Sequence, residues 1–219
     1  MAKLIWDADG ERRYENGVDH GVLYPRSNTG DYPLGVAWNG LTAVTESPEG
    51  AESTVHYADN IPYVSMQSAE IWKGTIEAFT FPDEFIPCDG AAVVVDGLVL
   101  GQQKRQSFGF SWRTRIGNDV TANAGYKIHI VYGALAAPSE KANSTINESP
   151  EPMTFSWEVS TTPTPVTGHE ALSTLTLIST DLDPVKLTEL ENILYGSAGT
   201  PGAVARLPKP DEIIALLEP

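Results

Sequence analysis

A reactive cysteine needs a base or a positive field to hold its thiolate. The single cysteine, Cys88, sits in Pro87-Cys88-Asp89-Gly90, where Asp89 and the nearby Glu84 oppose a thiolate. It reads as a structural residue, and a lone cysteine forms no internal disulfide. The histidines are scattered: His20 lies in Asp19-His20-Gly21, His129 on the polar side of an alternating segment, and His56 and His169 in or near loops. None has a second ligand at local metal spacing, so each reads as a polar surface or interface residue unless distant groups converge on it. Asp83 and Glu84 are adjacent carboxylates behind Pro82. Adjacent side chains of a strand point to opposite faces, which is wrong for an acid–base pair acting on one bond. After a proline they fit a turn or a single helical turn. There is no Gly-x-x-x-x-Gly-Lys phosphate loop, His-Glu-x-x-His zinc helix or Gly-x-Ser-x-Gly nucleophile elbow. Neither catalysis, a cofactor nor a metal is expected. The five tryptophans and eight tyrosines could serve a sugar cleft, but core packing and subunit contacts explain them more cheaply.

The elements that would position such residues come from a chain of 219 residues, 41% hydrophobic and 20% charged. That suits one domain with a single core, or one domain with a small appendage. No apolar run approaches the roughly 20 residues that span a bilayer, and Met1 to Gly10 lacks a signal-peptide core. Synthesis in the cytosol and no membrane contact are expected. The net charge of −15 weighs against a protein that grips DNA phosphates, which takes clustered Lys and Arg. Residues 1–100 hold 16 acids and 5 bases, residues 101–130 hold 5 bases and 1 acid, and residues 131–219 hold 4 bases and 12 acids. The basic island is too small for a nucleic-acid platform. It fits either acidic patches on neighbouring copies or a solvated strand face.

The pattern is mostly β. Phe108, Phe110, Trp112, Thr114 and Ile116 alternate with Gly109, Ser111, Arg113 and Arg115; Tyr126, Ile128, Ile130 and Tyr132 alternate with Lys127, His129 and Val131; Met153, Phe155, Trp157 and Val159 alternate with Thr154, Ser156 and Glu158. A period of two predicts antiparallel strands with one face in a core and one toward water or a partner. Gly117 to Ala124 can join the first two as a hairpin. Asp96-Gly97 between Val93-Val94-Val95 and Leu98-Val99-Leu100 predicts a tight hairpin, because this dipeptide tolerates positive φ. Further strands are expected near 18–24, 36–44, 54–57, 75–81 and 172–180. Asp183 as cap, Pro184, the stripe Leu187, Leu190, Ile193, Leu194 and the stop Gly196 predict a helix. A second, short helix is expected from about Asp211, burying Ile213, Ile214 and Leu217. The Thr- and Pro-rich stretch Ser160 to Gly168 reads as a semi-rigid connector.

Several stretches resemble the major tail tube proteins of long-tailed, siphovirus-type bacteriophages. They are Glu15-Asn16-Gly17-Val18-Asp19-His20-Gly21-Val22-Leu23-Tyr24-Pro25, Gly35-Val36-Ala37-Trp38-Asn39-Gly40-Leu41, Thr75 to Phe85, Arg113 to Asp119, Tyr126 to Glu140, and Ile193-Leu194-Tyr195-Gly196. The resemblance spans nearly the whole chain and carries no active-site residues. It implies a mainly β fold, an antiparallel β-sandwich or barrel of the tail-tube type with one flanking α-helix near the C-terminus. The division expected is a β-sandwich domain over 1–165 and a strand-helix extension over 166–219, packed on the same domain.

The resemblance further implies a structural virion protein. Six copies form a ring around an inner β-barrel, and rings stack into the tube through which the genome is ejected. The partners implied are further copies of itself, the tape measure, tail terminator and distal tail proteins, and double-stranded DNA in transit without specific binding. The implied location is the virion tail. The residues that line the lumen are left open. An assembly loop is expected within Leu41 to Asn60, centred on Thr45, Glu46, Ser47, Pro48, Glu49 and Gly50, which are small, polar or turn-prone; a surface loop with no partner fits the same composition. Two other readings stay open: the tube subunit of a contractile injection apparatus, and a carbohydrate-binding β-sandwich on a virion surface.

Overall fold

The computed structural model describes residues 4–50, 52–143, 145, 146, 148, 152–199 and 202–218. The fold is mainly antiparallel β with two helices near the C-terminus. In chain order the strands are β1 (Tyr14–Pro25), β2 (Val36–Trp38), β3 (Leu41–Glu46), β4 (Ser53–Ala58), β5 (Ile61–Gln67), β6 (Lys73–Ala78), β7 (Ala92–Val95), β8 (Leu98–Leu100), β9 (Phe108–Gly117), β10 (Gly125–Ala136), β11 (Phe155–Thr161), β12 (Thr164–Val166), β13 (His169–Leu172) and β14 (Thr174–Ile178). The helices are α1 (Pro184–Tyr195) and α2 (Pro210–Leu217). Eight strands form one sheet in the order β2-β1-β9-β10-β11-β6-β3, with β14 added on β10. The pairs β4–β5, β7–β8 and β12–β13 stand as separate two-stranded sheets.

The 108–117 and 125–136 segments pair as a hairpin, with Ile116 opposite Gly125 and Phe110 opposite Val131. Beyond that, β10 forks. Lys127 to Val131 pair with β14, whereas Ala134 to Ala136 pair with β11. Gly133 sits at the fork with φ +60, and a Cβ there would collide with the Thr162 carbonyl oxygen. Only glycine meets both demands.

The central strands are covered on both sides. One face packs an aromatic core in which Phe85 meets Trp38 at 4.6 Å, Trp157 at 5.1 Å and Phe108 at 5.4 Å between ring centroids. Leu23, Phe110, Trp112 and Val131 join that cluster. The opposite face, with Val22, Tyr24, Ile128, Ile130 and Tyr132, packs under Leu187, Leu190 and Leu194 of α1 and Ile213 of α2. The hydroxyls of Tyr24 and Tyr132 donate to the carbonyls of Leu194 and Pro208, both at 3.0 Å. The alternation correctly gave two faces but not two cores, because what covers the second face lies some 60 residues away along the chain. Asp183 caps α1 as expected, accepting from the backbone N–H groups of Val185 and Lys186.

Several segments differ from the sequence expectation. The 36–44 strand is broken by Asn39-Gly40, where Gly40 has φ +76. The Thr- and Pro-rich connector instead completes β11 and builds the β12–β13 hairpin around Gly168 at φ +76. Its prolines fit because the pair lies outside the main sheet.

Leu190→Ala is expected to cost about 2–5 kcal/mol, because it opens a cavity between α1 and the sheet. Val185→Ala, on the solvent side of the same helix, should stay within about 0.5 kcal/mol. Urea unfolding of both variants measures the difference; equal effects would contradict the packing.

Candidate assembly surfaces

The residues that sequence reading marked for chemistry do not gather. Cys88 is fully buried, and burial, reinforced by Asp89, pushes its thiol up to about 12. Asp83 and Glu84 open a single 3-10 turn whose last residue, Phe85, anchors the aromatic core. Among the described residues no three His, Cys, Asp or Glu groups converge as metal ligands do, and no helix is long and apolar enough to cross a membrane. Trp38, Trp72, Trp112 and Trp157 are buried in the core.

The basic island is largely tied up in ion pairs. The Nε of Arg113 donates to Oδ1 of Asp19 at 3.0 Å, and Nη2 of Arg115 to Oδ2 at 3.1 Å. The Arg113 guanidinium lies 4.6 Å over the Tyr126 ring, whose hydroxyl donates to Glu191 of α1 at 2.8 Å. Burial alone would raise the Asp19 carboxyl, but the hydrogen bonds from Arg113, His20 and Arg115 outweigh it and hold Asp19 below its usual range. Lys127 pairs with Glu15. Arg113 therefore lies under the helix layer and not on an open strand face.

Two hairpins leave apolar side chains open. Hairpin β4–β5 projects from between β3 and β6, and Val55, Tyr57, Ile61, Tyr63, Val64 and Met66 on it are 43–74% exposed. Its turn residues Asp59 and Asn60 both take positive φ, 51° and 63°, the geometry that matches strand twist in a two-residue turn. Hairpin β7–β8 forms over Asp96-Gly97 as expected, yet Val93, Val94, Val95, Leu98, Val99 and Leu100 are 44–62% exposed. On β8 the neighbours Leu98 and Val99 point to opposite faces, so both faces of this arm are apolar. A lone two-stranded hairpin is marginal in water, and contiguous exposed apolar surface of this extent marks an interaction site.

Thr45, Glu46, Ser47, Pro48, Glu49 and Gly50 form the root of the first arm. Glu46 Oε2 accepts from the Trp72 indole at 2.8 Å, Lys73 Nζ donates to Glu49 at 2.6 Å, and Glu49 exchanges backbone hydrogen bonds with Ile71 at 2.9 and 2.7 Å. Gly50, at φ +96, lets the Ala69 carbonyl pass where a Cβ would collide with it. Ala51 lies outside the described residues. Pro62 interrupts the β pattern of 61–67, so the Asp-Asn pair at 59–60 is the local signal for this hairpin.

Next to this root His129 stacks on Trp112 with rings 9° from parallel, and hydrogen-bonds Thr114 at 2.9 Å. Its Nδ1 lies 3.9 Å from Glu46. Burial holds the ring below its usual 6.5, with Lys127 adding to this, against the opposite pull of Glu46 and Glu15.

No protein-family model matches this chain, and no curated protein matches it. Among solved structures it is similar to a chain of the cryo-EM structure of the anti-feeding prophage (AFP) baseplate, 6-fold symmetrised, with 9% identity, 80% of this chain and 97% of that chain covered, and a TM-score of 0.36. A likeness at that level bears on neither function nor partner.

A histidine with a depressed folded pKa binds its proton more readily once unfolded, so its contribution is lost as pH falls below 6.5. Urea unfolding at pH 7.5 and 5.5 should show a loss of stability in the wild type that shrinks in His129→Gln. An unchanged pH dependence in the variant would contradict the burial of a neutral ring.

Proposed function

We propose that this chain is a structural subunit, not an enzyme, and that it polymerises as stacked six-membered rings into the tail tube of a long-tailed bacteriophage. One observation carries the reading. A chain of net charge −15 displays two extended apolar hairpins that it leaves uncovered itself. Like-charged copies repel, so contact between them needs surface that carries little charge. β5 and the strands β7 and β8 hold no charged residue at all. The tube form and the phage setting come from the sequence resemblance over 15–25, 35–41, 75–85, 113–119, 126–140 and 193–196. Capping proteins and a tape measure would then be met at the tube ends and within the bore.

The bore face is the outer side of β3, β6 and β11. Thr45, Thr75 and Glu158 stand in one row across the three strands, and Glu77 opposes Ser156 in the next. Behind them Ile76, Trp157 and Val159 fill the core. Lys73, on the same face two residues before Thr75, is paired with Glu49, so these rows offer DNA phosphates little cationic grip. A duplex carries about one negative charge per 1.7 Å. In a bore little wider than DNA, the wall carboxylates act within the roughly 8–10 Å screening length. Repulsion then centres the duplex and keeps it from sticking.

Negative-stain microscopy of the purified full chain tests the reading: rings and hollow tubes are expected, and discrete monomers at every concentration would sink it. In tubes, Glu77→Gln with Glu158→Gln should preserve assembly but slow ejection or retain DNA. Unchanged ejection and retention would remove the repulsive wall.

A further inference from the structure

His20 stands where β1 leaves regular geometry. Its φ is +51, and the register of β1 against β9 breaks between Asp19 and Val22. In a regular strand the side chains of Asp19 and His20 would point to opposite faces. The bulge and its left-handed residue bring both to Arg113 of β9. Arg113 Nε donates to Asp19 Oδ1 at 3.0 Å, and Arg113 Nη2 lies 2.8 Å from His20 Nδ1. The same Nδ1 lies 2.8 Å from Asp19 Oδ1. A strained residue kept at such a junction points to a role for the junction.

The two contacts of Nδ1 exclude each other as hydrogen bonds. A guanidinium only donates, so Nδ1 needs a lone pair to receive it. A carboxylate only accepts, so Nδ1 needs a proton to reach it. Asp19 already accepts from both Arg113 and Arg115, so a neutral ring protonated on Nε2 gives its lone pair to Arg113. An imidazolium donates to Asp19 instead and stands against Arg113 with a like charge.

We propose that protonation of His20 makes Arg113 change partner, from the imidazole of β1 to the Glu191 carboxylate of α1, so that acid fastens the helix to the sheet. The proton comes from solvent, to which the His20 side chain is 51% exposed, and histidine is the side chain whose charge ordinarily changes between pH 5 and 8. Glu191 is placed to receive the guanidinium. Its Oε1 lies 4.0 Å from Arg113 Nη1, an ion pair not closed to hydrogen-bond distance. The guanidinium rests on the Tyr126 ring, whose hydroxyl already donates to Glu191. Tyr195, one turn further along α1, lies 6.1 Å from the His20 ring, and its buried hydroxyl has no hydrogen-bond partner among the described residues.

Four elements supply the charged and titratable groups around His20: Asp19 from β1, Arg113 and Arg115 from β9, Tyr126 from β10, and Glu191 and Tyr195 from α1. Asp19, held below its usual range, is a carboxylate throughout this pH window, and burial keeps both tyrosines neutral. The proton therefore changes the charge of the ring and not that of Asp19. The device needs one copy of the chain only, so it stands apart from the tube reading.

A double-mutant cycle on the full-length protein reads the change of partner. Arg113→Met, Glu191→Gln and the double variant, each confirmed as folded by circular dichroism, are unfolded in urea at pH 8 and pH 5 at one protein concentration. The contribution of Arg113–Glu191 coupling to the folding equilibrium constant is expected to be roughly threefold or more larger at pH 5. In a His20→Asn background it should be the same at both pH values, since asparagine tolerates the positive φ and carries no titrating ring. Should Arg113→Met not fold, Glu191→Gln alone serves. Its cost is expected to grow from pH 8 to pH 5, the reverse of what titration of an ion-paired carboxylate gives by itself, and to stop growing in His20→Asn. A coupling or cost that is equal at the two pH values, or larger at pH 8, would overturn the proposal. So would a rise toward pH 5 that persists in His20→Asn.

Discussion

Central strands buried on both faces have no side-chain surface left for a partner. That constraint shapes this molecule. β9 and β10 set Phe110, Trp112 and Val131 into an aromatic core and Ile128, Ile130 and Tyr132 under α1 and α2. The interior is closed by local chemistry as well as by packing: Tyr24, Tyr32 and Tyr132 each hold a backbone group from a distant segment. Beyond the outer side of β3, β6 and β11, the hairpins inserted at the margin of the sheet offer surface to a partner. Two hairpins there gather exposed apolar residues and contribute nothing to the two cores, while Leu4, Ile5 and Trp6 are exposed near the start of the described chain.

The charge distribution complements this. Acids dominate both ends of the sequence, and the basic island at 104–127 does not offset them as an open patch, since Arg113, Arg115 and Lys127 are bound to Asp19, Glu191 and Glu15. With a net charge of −15 the chain is acidic on balance. Such a balance discourages phosphate binding and promiscuous association alike. Under the proposed tube reading, a subunit that adds to its own kind and lets a polyanion slide past would have use for both properties.

Much of this was legible in the residues. Asp183, Pro184, the Leu187-Leu190-Leu194 stripe and Gly196 defined α1 because caps and periodicity act over one or two turns. Asp96-Gly97 defined the β7–β8 turn for a similar reason. The exposure of that hairpin was not legible: Val-Val-Val and Leu-Val-Leu look the same in a buried strand as on an uncovered arm, since burial depends on what the rest of the chain brings to cover them. Residues 45–50, expected from composition as an assembly loop, stand at the base of an insertion whose apolar residues lie at 55–66. Small polar residues mark where a chain bends, and here they build the hinge side of the arm. The fork in β10 at Gly133 is another feature no local pattern contains, because it depends on Thr162 reaching the same point from a different strand.

The central claim is that the arms are uncovered in one copy and covered between copies. Hydrogen exchange of the backbone amides over 53–67 and 92–100, followed in dilute and in assembled protein, tests it most directly. Fast exchange in both segments on dilution and strong protection after assembly are predicted, with the amides of β9 and β10 protected throughout. Equal exchange of the arm amides in the two states would contradict it.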